Sequence, residues 1–219
     1  MISTIKHRGI LKLLGEDQDD SEEEDWYDGT IEFTWSDFED SDAVIFGKNF
    51  NWTDVTHLYL HHNKIGDKGA KALGQNTHWR DLEKLRLDSN RIGDEGAIAI
   101  GSNTIWTSLE ELYLQRNKIG DKGAVVIGRN NTWVNLKYLD LSENKIGNEG
   151  AIAVGANMTW KNLEQLGLSN NEVCDAGAVM ISQNTTWKKL IRFEIHSNQY
   201  IKKTGVRKYF KVILYLVHL

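Results

Sequence analysis

Histidine, tyrosine, arginine and carboxylate side chains recur in this chain at spacings that could do chemistry. His57, His61 and His62 come first, because imidazole is a common zinc ligand. His57 and His61 stand four residues apart. On a strand that separation is about 13 Å, too far to share one ion without distortion. His62 would have to bend round a turn, and no carboxylate or thiol completes the set in sequence. Neither a metal site nor a cofactor is expected. Tyr59, Arg86 and Tyr113 are of the types enriched at interface hot spots, and each lies 27 residues from the next. An arginine between two tyrosines can also merely stack on them. Lys64, Arg91, Lys118 and Lys145 form a basic column that could touch phosphate. The nearby Asp67, Asp94 and Asp121 and the acidic balance of the chain make it a solvated, partly paired ridge instead. Nucleic acid is therefore not an expected partner. No nucleophile–base set, phosphate loop or paired carboxylates stand outside the repeat, and the protein is expected not to be an enzyme.

These residues must be positioned by a repeating element. Trp52, Trp79, Trp106, Trp133, Trp160 and Trp187 are each 27 residues apart, and Asn63, Asn90, Asn117, Asn144, Asn171 and Asn198 keep the same step. A period of 20 to 50 residues marks a solenoid, whose units bury their apolar faces against one another. In the second unit, Leu82, Leu85 and Leu87 form LxxLxL, and Lys84, Arg86 and Asp88 alternate with the leucines, as on a strand. Asn90 ends the strand and can bridge backbone groups of successive units. Gly93 suits a turn with positive φ. Asp94, like Asp67, Asp121, Asn148 and Asp175, is expected to be a helix N-cap. The helix that follows, Glu95 to Ser102, holds Gly96, Ala97, Ala99 and Gly101. Glycine there costs about 1 kcal/mol per residue relative to alanine, so its recurrence indicates close packing between stacked helices. Asn103 suits the helix end. Each unit thus reads strand, turn, short helix, loop. Strands stack about 4.8 Å apart and helices need roughly 10 Å, so the stack should bend into an open arc with the strands inside.

The pattern LxxLxLxxNxIGDxGAxAIGxN, over roughly residues 52 to 200, resembles the leucine-rich repeat, and its IGDxGA part is similar to the ribonuclease-inhibitor-like class. The resemblance implies an α/β solenoid, with a curved parallel sheet on the concave side and short helices on the convex side. It also implies a protein-binding scaffold. The 27-residue unit and the loop tryptophan depart from that class, and its cysteine-rich character is absent.

Along the chain, residues 1–25 form an N-terminal segment with an acidic run, EDQDDSEEED, read as a solvated linker. Residues 26–51 read as a degenerate capping repeat: Ile31 and Phe33 fall 27 residues before Leu58 and Leu60, and Trp26, Tyr27, Trp35 and Phe50 would shield the core end. Residues 52–186 hold five regular repeats. Residues 187–219 form a degenerate last repeat and an apolar C-terminal cap, with Ile201 and Gly205 one residue late. A monomer is expected, and a dimer through the tail is the alternative. The single cysteine, Cys174, stands where other units have glycine and reads as a turn variant, which fits a reducing compartment. A cytoplasmic location follows, or delivery into a host cell if the source is bacterial. No run reaches the roughly 18 apolar residues of a membrane span. The sequons at Asn130, Asn157 and Asn184 fall at one repeat position, so repetition explains them. Lys68, Glu95, Lys122 and Glu149 alternate in sign and should form exposed rungs of ion pairs.

The outward face of the strands reads in three columns: His57, Lys84, Glu111, Tyr138, Gln165, Arg192; Tyr59, Arg86, Tyr113, Asp140, Gly167, Glu194; and His61, Asp88, Gln115, Ser142, Ser169, His196. The fold does not dictate these residues, and they vary between units. Tyr59, His61, Arg86, Asp88, Tyr113, Gln115 and Asp140 are therefore the expected partner-binding residues, and the expected function is a non-enzymatic protein–protein interaction module. A regulator or activator of a small GTPase and a self-assembling structural protein are the alternatives.

Overall fold

The computed structural model describes residues 29–48 and 53–198. Trp26, Tyr27, Phe50, Trp52, the acidic run and the apolar tail lie outside the described residues. Seven three-residue strands form one parallel sheet in chain order: β1 (Thr30–Glu32), β2 (His57–Tyr59), β3 (Lys84–Arg86), β4 (Glu111–Tyr113), β5 (Tyr138–Asp140), β6 (Gln165–Gly167) and β7 (Arg192–Glu194). Six helices alternate with them: α1 (Asp40–Gly47), α2 (Asp67–Gly74), α3 (Asp94–Gly101), α4 (Asp121–Arg129), α5 (Asn148–Gly155) and α6 (Asp175–Ser182). The strand register follows the repeat step throughout, so Ile31 stands opposite Leu58, Leu58 opposite Leu85, and Leu166 opposite Phe193. The sheet lines the concave side and the helices the convex side. Between them one continuous core takes the inward leucines and isoleucines of every unit.

Trp79, Trp106, Trp133 and Trp160 are fully buried in that core. An asparagine holds each of them in place. Asn130 accepts from the backbone N–H groups of Thr132 and Trp133 (2.9 and 3.3 Å), while its Nδ2 donates to the carbonyls of Gly101 and Asn103 one unit earlier (both 2.9 Å). Asn157 makes the equivalent bonds, and Asn184 makes those to Thr186 N, Gly155 O and Asn157 O. These amide nitrogens are the sequon acceptors, so in the folded chain they are committed to the ladder rather than open to glycosylation.

The second asparagine ladder behaves as its spacing predicts. Asn90 Nδ2 donates to Leu60 O and Leu87 O (2.8 and 3.1 Å), and its Oδ1 accepts from Ile65 N (2.9 Å). The positive φ that this turn requires falls on the preceding residue, not on the glycine. His62, Ser89, Arg116, Glu143, Asn170 and Ser197 have φ between 53° and 58°. Gly93 has φ −102°, in the extended region. The expectation that Gly93 supplies positive φ is thus corrected.

The N-cap expectation is corrected as well. Asp94 is the first residue of α3, and Gly93 is its N-cap. The Asp94 carboxylate instead serves the next unit. Its Oδ1 accepts from Gly120 N and Gly123 N, both at 2.8 Å, at the start of α4. Asp40, Asp67 and Asp121 do the same for α2, α3 and α5. Gly93 is needed for room, since a Cβ there would stand 3.0 Å from Asp67 Oδ2. The first described helix has its own device, because the Glu39 N–H donates to Asp42 Oδ2 (2.8 Å). At the far end, Asn148 replaces the aspartate and Cys174 the glycine. Asn148 Oδ1 accepts from Cys174 N and Gly177 N, and its Nδ2 contacts the Cys174 sulfur. Both substitutions therefore belong to one contact, and Cys174 is a turn variant.

Helix packing explains the other glycines. A Cβ on Gly101 would stand 2.7 Å from Ile127 N, and one on Gly96 would stand 2.8 Å from Ala70 Cβ. Successive helices pack backbone to backbone at Gly101, while Gly96 makes room for the Ala70 side chain.

Two surface expectations are also corrected. Trp35 does not shield the core end. It is 74% exposed and stacks on His62 (3.8 Å, 8° between planes), while Phe33, Phe38 and Phe46 close the core there. Lys68, Glu95, Lys122 and Glu149 are exposed, but the close ion pairs fall elsewhere, as at Arg116–Glu143 and Lys137–Glu110.

Candidate functional site

The concave face presents the alternate residues of seven strands at one side of a fixed sheet. Each strand is only three residues long and reads in–out by its pleat, so its central residue enters the core and its flanking residues face outward. Lys84 thus stands opposite His57 and Glu111, and Arg86 stands opposite Tyr59 and Tyr113.

Across β2 to β5 these side chains form one connected network. Arg86 lies over the Tyr113 ring, 4.9 Å from its centroid, and its guanidinium contacts both carboxylate oxygens of Asp88 (3.1 and 3.3 Å). Tyr113 donates its hydroxyl to Glu111 (2.8 Å) and stacks on Tyr138 at 4.5 Å. Lys84 Nζ pairs with Glu111 at 2.7 Å and also lies between the Tyr59 and Tyr113 rings, 5.8 and 5.4 Å away. Tyr59 neighbours the His57 and His61 rings. Sequence reasoning took the second column as the centre. Lys84, Glu111 and Tyr138 of the first column belong to the same network, and their signal was the shared outward parity on each strand.

Half of the third column sits deeper. Asp88 is 3% exposed, and Ser142 and Ser169 are also buried. A partner would meet Asp88 only through Arg86, and removing Arg86 would leave a buried carboxylate unpaired. Gln115 is half-buried, and its carbonyl Oε1 has no hydrogen-bond partner among the described residues. His61 sits beside Thr34, with Nδ1 3.3 Å from the hydroxyl. Among the described residues no group of His, Cys, Asp or Glu is placed to hold a metal ion.

Electrostatics follow from this packing. Burial pushes the Glu111 carboxyl up, but hydrogen bonds from Lys84 and Tyr113 and the Lys84 charge outweigh it and hold the group below its ordinary range. Burial and the bond to Glu111 push the Tyr113 hydroxyl well up. Burial, followed by the Arg86 charge, holds His61 down. Asp140 differs. Burial raises its carboxyl and Glu194 and Asp88 add to the rise, against the opposing effect of Ser142.

Four segments, residues 53–74, 80–101, 107–128 and 134–155, match the family model described as Leucine Rich repeat. The fold is a leucine-rich-repeat solenoid. Among solved structures, the solenoid is similar to an internalin (inlF) from Listeria monocytogenes, with 18% identity and a TM-score of 0.50, covering 80% of this chain and 50% of that one. It is also similar to the LRR ectodomain of the receptor kinase SOBIR1 from Arabidopsis thaliana, with 19% identity and a TM-score of 0.38, covering 60% and 64%. The chain thus spans half of the internalin chain, and the likeness is one of fold. No curated protein sequence matches the chain at a significant level. Leucine-rich-repeat domains are commonly protein-interaction modules. Among the described residues no helix is long and apolar enough to cross a membrane.

Proposed function

We propose that this leucine-rich-repeat protein binds a protein partner non-enzymatically through its concave face, centred on Tyr59, Arg86 and Tyr113. The observation that carries the reading is the network across β2 to β5. It joins large amphipathic side chains that already hold one another in place, at positions the repeat leaves free. A surface fixed before binding loses little conformational entropy on association. His61, Asp88, Gln115 and Asp140 extend the face toward its edge and its acidic end. The eight- or nine-residue convex helices support a place in the ribonuclease-inhibitor-like class. The half-buried Cys174, engaged with Asn148, fits a reducing compartment such as the cytoplasm. Replacing Tyr59, Arg86 and Tyr113 with alanine tests the reading. Each truncation should weaken binding by on the order of 2 kcal/mol. A triple variant that keeps full affinity for a captured partner overturns the assignment of this face.

A further inference from the structure

Trp35 stands where the backbone least favours it. It heads the column His62, Ser89, Arg116, Glu143, Asn170 and Ser197, the left-handed position of the asparagine turn, and has φ 55°. A bulky side chain there is an outlier, because its Cβ crowds the following carbonyl. The turn is pinned in that shape. Trp35 N donates to His61 O (3.4 Å), and the Asn63 side chain accepts from Ser36 N (3.0 Å). The core does not need the indole, because Phe33, Phe38 and Phe46 close that end.

One face of the indole lies flat on His62, and the other meets solvent. At 74% exposure, no large apolar side chain among the described residues is more open. From His62 the rings run on to His61 (5.5 Å) and Tyr59 (6.4 Å), and Lys84 Nζ then bridges the Tyr59 and Tyr113 rings (5.8 and 5.4 Å). Trp35 is therefore the outer end of the ring path that crosses the concave face. A fixed, exposed tryptophan at a position the repeat leaves free is the type of residue that anchors an interface.

The surroundings bear on the chemistry of what it meets. Residues 29–48 carry five acids, Glu32, Asp37, Glu39, Asp40 and Asp42, against Lys48 alone. Glu32 is exposed on the outward face of β1 and makes no ion pair among the described residues. The cations of the neighbouring units are engaged: Lys64 with Asp37, Lys84 with Glu111 and Arg86 with Asp88. Burial, followed by the Arg86 charge, holds His61 below its ordinary range. An acidic surface of this kind draws a cation and repels an anion. Tryptophan is the best ring for a cation, and a guanidinium adds a plane that can stack on the free face as His62 does on the other.

We propose that Trp35 anchors the N-terminal edge of the partner's footprint, and that its free face takes one arginine guanidinium presented by the protein partner. The inference rests on the concave reading above.

The experiment selects binders to the full chain from a phage-displayed library of random peptides. The selected peptides are measured against the parent, Trp35→Gly, and the triple-alanine variant of Tyr59, Arg86 and Tyr113. Peptides that weaken about tenfold or more in Trp35→Gly should share an arginine. Replacing that arginine with citrulline, which keeps the shape and removes the charge, should cost a similar factor. The Trp35 indole N–H signal should shift on binding the arginine peptide. Trp35→Gly should melt within about 3 °C of the parent, because glycine accepts φ 55° and the relief offsets the lost stacking. A much larger loss makes the ring a structural brace and overturns the proposal. So do peptides that need Trp35 but share no arginine, and an indole that in the unbound protein already shows nuclear Overhauser contacts to residues 1–28 or to a second copy. Peptides lost in the triple variant but kept in Trp35→Gly overturn it and leave the concave reading intact. Arginine peptides lost in Trp35→Gly but kept in the triple variant leave the anchor standing and move the partner face away from Tyr59, Arg86 and Tyr113.

Discussion

Asp94→Ala separates two accounts of how the helices are capped. In the structure its Oδ1 is the acceptor for Gly120 N and Gly123 N at the start of α4 and makes no cap for its own helix. Removing a capping acceptor costs about 0.5–2 kcal/mol. Here two donors lose a carboxylate in a partly buried place, which puts the cost at the upper end, about 2–3 kcal/mol, once the lost charge at the helix N-terminus is included. Asp94→Asn keeps one oxygen and should cost roughly half as much, as the Asn148 pairing with Cys174 and Gly177 illustrates. The deciding assay is amide hydrogen exchange. Gly120 and Gly123 should exchange about 30-fold faster or more, because 1.4 kcal/mol is a factor of ten. The Gly96 amide, held by Asp67 Oδ1 at 2.9 Å, should keep its protection. If protection is lost at Glu95 and Gly96 while Gly123 is unchanged, Asp94 caps its own helix in solution and the ladder reasoning fails.

Three further outcomes are expected. Trp133→Ala should cost about 3–5 kcal/mol in stability, measured by chemical denaturation, because the ring is fully buried; Trp133→Phe should cost less, since the indole N–H has no hydrogen bond to lose. Asp140 should make stability fall with rising pH. Its folded pKa lies above the unfolded value of about 3.9, so its favourable contribution is complete below that value and is lost as the carboxyl ionises. Melting curves of the parent and Asp140→Asn should therefore diverge in the variant's favour as pH rises through that window, and a constant difference across it would exclude the linkage. Gly101→Ala should destabilise by about 1–3 kcal/mol through the clash with Ile127 N; a neutral or stabilising result would mean the helices can part without loss.

Strand pairing was legible because two independent periods agree. Alternation within LxxLxL fixes which residues turn inward, and the step of 27 fixes the register, so Leu85 had to face Leu58 and Leu112. The tryptophans were legible for the same reason. The Asp94 cap was not, because an aspartate at the first helical position has one sequence signature whether it turns to its own helix or to the next. The choice depends on the stacking distance, which the glycines at Gly93 and Gly120 set. Gly93 misled because glycine is needed for positive φ and for close approach alike, and only the second applies. At the concave face the column membership was readable but the depth was not. Asp88 and Ser142 look as outward as Arg86 and Asp140 in the strand pattern, yet they lie where the chain leaves the sheet to enter the asparagine turn, and they sink there.

The structure thus separates positions by what repeats. The inward leucines, both asparagine ladders and the aspartate ladder recur because every unit needs them to join its neighbour. In a solenoid, stability is approximately a sum over units and their interfaces, so a local cost at one interface is not transmitted to the rest. Asp140, a half-buried carboxylate with no lysine or arginine at ion-pair distance among the described residues, can therefore persist between β5 and β6 while the ladders on either side hold. The tyrosine and ion-pair network on β2 to β5 is the opposite case, because Arg86 is paired with Asp88, Lys84 with Glu111, and the Tyr113 hydroxyl with Glu111.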